Sequence, residues 1–249
     1  MLSMSGWGVL VFLLLFSSLP AIAVFVWFRL ARYPFSPLRF SGALLAGAIS
    51  FFPALVFQNI LTAATGGIVY AIGKWGLIAD IFFRIAFTEE FSRLILLVIL
   101  FFAIHRLSPA SRQPGQASTD PHNVTINPPI SADTMASAAG LIAGLGFAII
   151  ESAVYGASNP GNALLRTFTA APLHGACGFR VGSSVAMFPE RPLQAVFRFL
   201  SAVIIHGLYN FMLIIPGFVP SAAAILIALS ALTTAILAIR SGMNGEQAT

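Results

Sequence analysis

The sequence has few charged residues for its length. Only 8% of its 249 residues are Asp, Glu, Lys or Arg, whereas an ordinary soluble domain has about 25%. Hydrophobic residues make up 58%, and several of their blocks reach the about 20 residues that cross a bilayer as a helix. So little charge excludes a water-soluble globule with a normal solvated surface. The sequence predicts an integral membrane protein embedded in a lipid bilayer.

Cysteine is also scarce. The single residue, Cys177, excludes an internal disulfide, and its apolar surroundings favour a small core residue over a reactive thiol. The formal net charge is +5, but the basic residues lie mainly between apolar blocks, where they determine membrane topology. We therefore expect no nucleic-acid partner.

The apolar blocks predict an all-α, polytopic transmembrane helical bundle of about seven spans, because lipid offers no partner for unpaired backbone groups. The predicted spans are 6–28, 41–63, 75–105, 136–157, 162–187, 193–213 and 219–239. The first span is interpreted as retained rather than as a signal peptide, since no Lys or Arg precedes Arg29. We expect a single domain over 1–249, with one flexible cytoplasmic loop at about 106–135.

Orientation follows from the arginines. Alternating spans put most of them on one face, where they are Arg29, Arg32, Arg39, Arg106, Arg112, Arg191 and Arg240. The other face has only Lys74 and Arg166. The positive-inside rule then places the N-terminus outside and the C-terminus in the cytoplasm. Without a long sorting region, a bacterial plasma membrane is the expected location.

Span three contains charged residues that are costly at membrane depth, in the run FTEEFSR. Glu89 and Arg93 are four residues apart and can pair on one helix face. Glu89 and Glu90, adjacent in a medium of low dielectric, should not both ionise easily, which suits one of them to act as a general base. A structural ion pair that locks the bundle is the alternative interpretation.

Spans four to six add further polar residues. Glu151 has no partner in its own helix, so its partner should lie on another span. Gly140 and Gly144, earlier in that span, form a small-xxx-small pair that favours close helix packing.

Span five contains His174, and span six contains His206 and Asn210, which are four apart and project from one face. With a rise of about 1.5 Å per residue, these groups reach compatible depths. They could therefore converge on one polar cavity.

The ordered set of motifs resembles the PrsW family of intramembrane proteases over roughly residues 20–240. The motifs are Glu89-Glu90-x-x-Arg93, then Gly-Phe-Ala-Ile-Ile-Glu151, then His174, then His206-x-x-x-Asn210. That family belongs with the CAAX prenyl proteases and the bacterial abortive-infection proteins in a wider glutamate-dependent superfamily. This chain has Arg93 where the family usually has lysine, and Ser152 where the family usually has asparagine.

The resemblance implies an intramembrane endopeptidase that hydrolyses membrane-embedded or juxtamembrane substrates. The best-known member cleaves an anti-sigma factor in regulated intramembrane proteolysis, so a single-span membrane protein is the implied substrate. The catalytic positions carried over by motif are Glu89, Glu90, Glu151, His174, His206 and Asn210.

In the mechanism we expect, Glu89 or Glu90 activates a water. His206 and Asn210 donate hydrogen bonds to the oxyanion, while His174 orients the water or protonates the leaving amine. Glu151 either tunes the glutamate pair or binds a metal ion. Zinc is one option, with Glu151, His174 and His206 as candidate ligands, although the chain has no HExxH motif.

Two other functions stay open on the sequence. Intramembrane Glu and His also mark proton relays, so a proton-coupled transporter is one alternative. The lack of an internal repeat counts against it. The other alternative is a binding protein that holds partner spans without cutting them.

Overall fold

The computed structural model describes residues 6–33, 35–65, 73–107 and 131–245. These residues are helical almost throughout. The elements are α1 (Gly6–Ser17), α2 (Leu19–Leu30), α3 (Pro37–Thr65), α4 (Lys74–Ala79), a π-helical segment (Asp80–Phe87), α5 (Thr88–Leu107), α6 (Ala132–Ser158), α7 (Pro160–Met187), α8 (Pro192–Ile214) and α9 (Phe218–Gly245).

The prediction of an all-α bundle is confirmed, and each predicted span corresponds to a helical stretch. Five stretches are long and apolar enough to cross a membrane by length and composition alone: Trp7–Leu30, Pro37–Thr65, Ala132–Ser158, Pro192–Ile214 and Phe218–Met243. The remaining two, 74–107 and 160–187, contain Glu89, Glu90 and His174.

The predicted loop at 106–135 falls largely on residues 108–130, which lie outside the described part of the chain. Its last residues are helical, because α6 starts at Ala132, four residues before the predicted span. Ser131 caps this helix, since its side chain accepts a hydrogen bond from the backbone N–H of Thr134 at 3.2 Å.

Two predicted spans are not regular α-helices throughout. The first predicted span breaks at Ser18, beside Pro20, which lacks a backbone N–H to continue the helix. The third stretch has π-helical geometry from Asp80 to Phe87, directly before Glu89. Short π segments inside α-helices frequently occur at functional sites.

Helix α6 is the centre of the bundle, because most of its residues are buried inside the protein. Its glycines permit backbone-to-backbone contact on two sides. Gly140 and Gly144 face α7, where a side chain would strike the carbonyls of Gly178 and His174. Gly146 faces α3 in the same way. The predicted close packing of this helix is thus observed, and it brings His174 next to α6.

Candidate active site

Glu89 and Glu90 lie in the first turn of α5, and their side chains point in different directions. The Glu90 side chain is fully buried, forms an ion pair with Arg93 and lies 2.8 Å from Nδ1 of His206. Glu89 turns towards α3, where Nε2 of Gln58 donates to its Oε1 at 3.1 Å. Its other oxygen, Oε2, is buried and has no hydrogen-bond partner among the described residues.

The observed ion-pair partner of Arg93 differs from the predicted one. The sequence spacing favoured Glu89, four residues away, but the structure pairs Arg93 with Glu90, three residues away. Both spacings put two side chains on one helix face. Glu90 is the one that shares the interior face with Arg93, while Glu89 faces Gln58.

His174 contacts both Arg93 and Glu151 through its two ring nitrogens. Its Nε2 lies 2.7 Å from Oε2 of Glu151, and its Nδ1 lies 3.4 Å from Nη2 of Arg93. Because a guanidinium can only donate, Nδ1 is the acceptor and Nε2–H is the donor in this arrangement. Phe147 packs against both partners, with its ring 5.0 Å from the His174 ring and 4.8 Å from the Arg93 guanidinium.

The partner of Glu151 lies on another span, as expected. Besides His174, it is Arg166, whose Nη2 lies 2.5 Å from Oε2 of Glu151. The Arg166 guanidinium also stacks on Tyr155 at 4.3 Å. The sequence predicts Arg166 only as a charge that sets membrane topology and does not predict this contact. Its place one to two turns inside α7 was the available signal.

The two histidines meet at the centre of the cluster. Their rings are 4.9 Å apart in an edge-to-face arrangement, and each is only 1% exposed. Nε2 of His206 lies 3.6 Å from Oε2 of Glu89. The predicted residues Glu89, Glu90, Glu151, His174 and His206 therefore converge from four helices on one buried network.

Asn210 is the predicted residue outside this network. It is half-buried one turn beyond His206, and its side chain makes no hydrogen bond within the described part of the chain. Gln58 is a further residue that the sequence reasoning missed. A polar residue near the end of a predicted span gave little signal by itself.

A metal ion fits one set of the described residues. Ligand atoms of Glu89, His174 and His206 all lie within 4.8 Å of one another, and this nitrogen and oxygen set suits zinc. Each imidazole also contacts a carboxylate through one ring nitrogen. His206 contacts Glu90, and His174 contacts Glu151. Such carboxylates usually orient zinc-binding histidines. The geometry favours Glu89 over the predicted Glu151, which is engaged by Arg166.

The fold and the site define a polytopic membrane protein with a buried glutamate–histidine centre. Its class is a membrane-embedded peptidase, because the family model described as PrsW family intramembrane metalloprotease matches residues 36–238. The chain belongs to the PrsW family. No curated protein and no solved structure gives a significant match.

Proposed function

We propose that this protein is an intramembrane endopeptidase in which Glu89 activates the attacking water. The single observation that supports this role is the buried Oε2 of Glu89, which has no hydrogen-bond partner among the described residues. Glu90 is held by Arg93 and His206, and Glu151 by Arg166 and His174. Of the three carboxylates, Glu89 therefore has the oxygen that is available to take a proton.

The attacking water binds beside Glu89 and His206, within hydrogen-bond reach of both side chains. Their atoms Oε2 and Nε2 are 3.6 Å apart, which is too far for a direct hydrogen bond but short enough for a shared water. Glu89 takes a proton from this water as the oxygen attacks the scissile carbonyl. The same carboxyl then passes the proton to the leaving amine.

The histidines have separate roles. When both of its nitrogens carry protons, His206 donates to Glu90 from Nδ1 and to the developing oxyanion from Nε2. Asn210, one turn further along α8, supplies a second donor. His174 is held at both nitrogens by Arg93 and Glu151, so it positions the neighbouring groups.

A zinc ion would be held by Glu89, His206 and one nitrogen of His174, which would have to release its contact with Arg93 or Glu151 to bind the ion. When bound, it would supply a Lewis acid that polarises the carbonyl and activates water. Metal analysis of the purified protein and of Glu89→Gln separates the two mechanisms. An ion that the wild type binds and the variant loses supports a metal centre. Full activity after the metal is stripped assigns the chemistry to Glu89 alone.

The proposed substrate is a single-span membrane protein cleaved within or beside its span, such as an anti-sigma factor in regulated intramembrane proteolysis. The support is the family of the chain, which we also propose to belong with the CAAX prenyl proteases and abortive-infection proteins in one superfamily. We also propose a location in a bacterial plasma membrane. The arginine-rich loops support an orientation with the N-terminus outside and the C-terminus in the cytoplasm.

The test compares membrane-protein N-termini in cells that express the wild type, Glu89→Gln or Glu190→Gln. Glu190 is an exposed glutamate between α7 and α8 and serves as the matched control. We expect new termini near the spans of single-span proteins with the wild type and Glu190→Gln, and none with Glu89→Gln. Identical profiles from all three inserted proteins would contradict the proposal and favour transport or binding without cleavage.

A further inference from the structure

A cavity of about 270 Å³ lies where the end of α6, the start of α7, the end of α8 and the start of α9 meet. Polar and apolar side chains share its lining. The residues that matter here are Tyr155, Arg166, Tyr209, Leu165, Leu213 and Ile225.

Two hydrogen-bond donors in this lining have no partner among the described residues. Tyr209 is only 2% exposed, and its hydroxyl has no partner in regular hydrogen-bond geometry among the described residues, the Thr169 side chain being the polar group beside it. Nε of Arg166 is likewise buried without a partner, although its Nη2 pairs with Glu151. Leaving a buried donor unpaired is costly. Two such donors at one cavity indicate a ligand that supplies an acceptor.

The chemistry of the lining selects the kind of acceptor. Glu151 already neutralises the Arg166 charge, so a neutral acceptor fits better than an anion. Leu165, Leu213 and Ile225 offer apolar contact beside the donors. A main-chain carbonyl flanked by an aliphatic side chain combines both features.

The cavity adjoins the glutamate–histidine centre. Arg166 contacts Glu151, which contacts His174. Tyr209 follows His206 by three residues on α8, so the two lie on neighbouring positions of one helix surface. A chain segment in the cavity would therefore run towards the catalytic groups.

We propose that this cavity is a substrate subsite, in which the Tyr209 hydroxyl and Nε–H of Arg166 donate to a main-chain carbonyl near the scissile bond. The assignment rests on the proposed peptidase function. Tyr209 is here a binding residue for the peptide main chain.

The experiment compares Tyr209→Phe with the wild type, and uses Tyr33→Phe as the matched control. Tyr33 lies in the turn between α2 and α3, away from the cavity. Loss of one donor should raise KM about three- to tenfold with little change in kcat, because the bond is made equally in the ground and transition states. Tyr33→Phe should match the wild type.

A binding measurement supports the kinetics independently. A fluorescent Leu- and Ala-rich peptide of about 20 residues, the length of one span, is titrated against Glu89→Gln with and without Tyr209→Phe. The Kd should weaken by a similar factor of about three to ten. Leu213→Trp, which fills the cavity, should weaken binding at least as much.

Unchanged KM and Kd in Tyr209→Phe, with Leu213→Trp also binding normally, would overturn the subsite. Failure of the wild type to cleave any substrate would instead refute the proposed function. The Kd comparison would then still decide whether this cavity binds a peptide.

Discussion

Replacing Arg93 with leucine should destabilise the protein strongly, because it leaves Glu90 buried without its counter-charge. Both side chains are fully buried. Removing one partner of a buried ion pair typically costs about 3–5 kcal/mol. The double variant Arg93→Leu/Glu90→Gln should recover most of that loss, because glutamine is neutral and still accepts from His206. We expect it to be within about 1 kcal/mol of the wild type, the value of one ordinary hydrogen bond.

The single cysteine offers the assay. Cys177 is buried in α7, so its labelling rate by a thiol reagent in mild detergent reports how often the bundle opens. A loss of about 3–5 kcal/mol should raise this rate by about 10²-fold to 4 × 10³-fold, since each 1.4 kcal/mol is tenfold. Arg198→Leu, at an exposed arginine of α8, is the control. A double variant that is no more stable than Arg93→Leu would refute the reasoning.

Two further predictions concern the supports of the site. Gly144→Ala places a methyl group against a backbone carbonyl of α7, so it should cost about 1–3 kcal/mol and reduce cleavage, measured by Cys177 labelling and peptide turnover. Gly42→Ala is its control, because the added methyl meets its nearest neighbour at an ordinary 3.8 Å; an equal effect of both would contradict the packing argument. Gln58→Leu removes the hydrogen bond to Glu89 and should lower kcat about tenfold or less, while exposed Gln194→Leu should not. Unchanged kcat in Gln58→Leu would show that this hydrogen bond does not position Glu89.

The helices could be predicted from the sequence because apolar block length is a strong signal in a membrane protein. The ends of the helices depended on local chemistry. Ser131 starts α6 early through its capping hydrogen bond, and Pro20 divides the first stretch. The π-helical segment before Glu89 has no comparable sequence signal.

The residues of the buried glutamate–histidine network could be identified from the sequence, but their contacts with one another were harder to predict. Glu89, Glu90, Glu151, His174 and His206 were identifiable because such groups are expensive inside a membrane. The four-residue spacing pointed to Glu89 as the partner of Arg93, but Glu90, three residues away, can also reach Arg93 on one helix face. That choice depends on how α5 is rotated towards His174 and His206.

Contacts between residues that are far apart in the sequence were the hardest to predict. Gln58 reaches Glu89 from 31 positions away along the chain, and Arg166 reaches Glu151 after a turn between two spans. Neither residue belongs to a motif with Glu89 or Glu151. Their roles follow from helix packing, which is set by Gly140, Gly144 and other small residues.

The most direct test of the central claim uses purified protein in proteoliposomes with a single-span substrate found by the N-terminus comparison. Cleavage is followed over time for the wild type, Glu89→Gln and Glu190→Gln, with Cys177 labelling to verify that each bundle is folded. We predict cleavage at one site near the span for the wild type and Glu190→Gln, and none for folded Glu89→Gln. Cleavage by Glu89→Gln at the wild-type rate would contradict the assignment of Glu89 as the group that activates water.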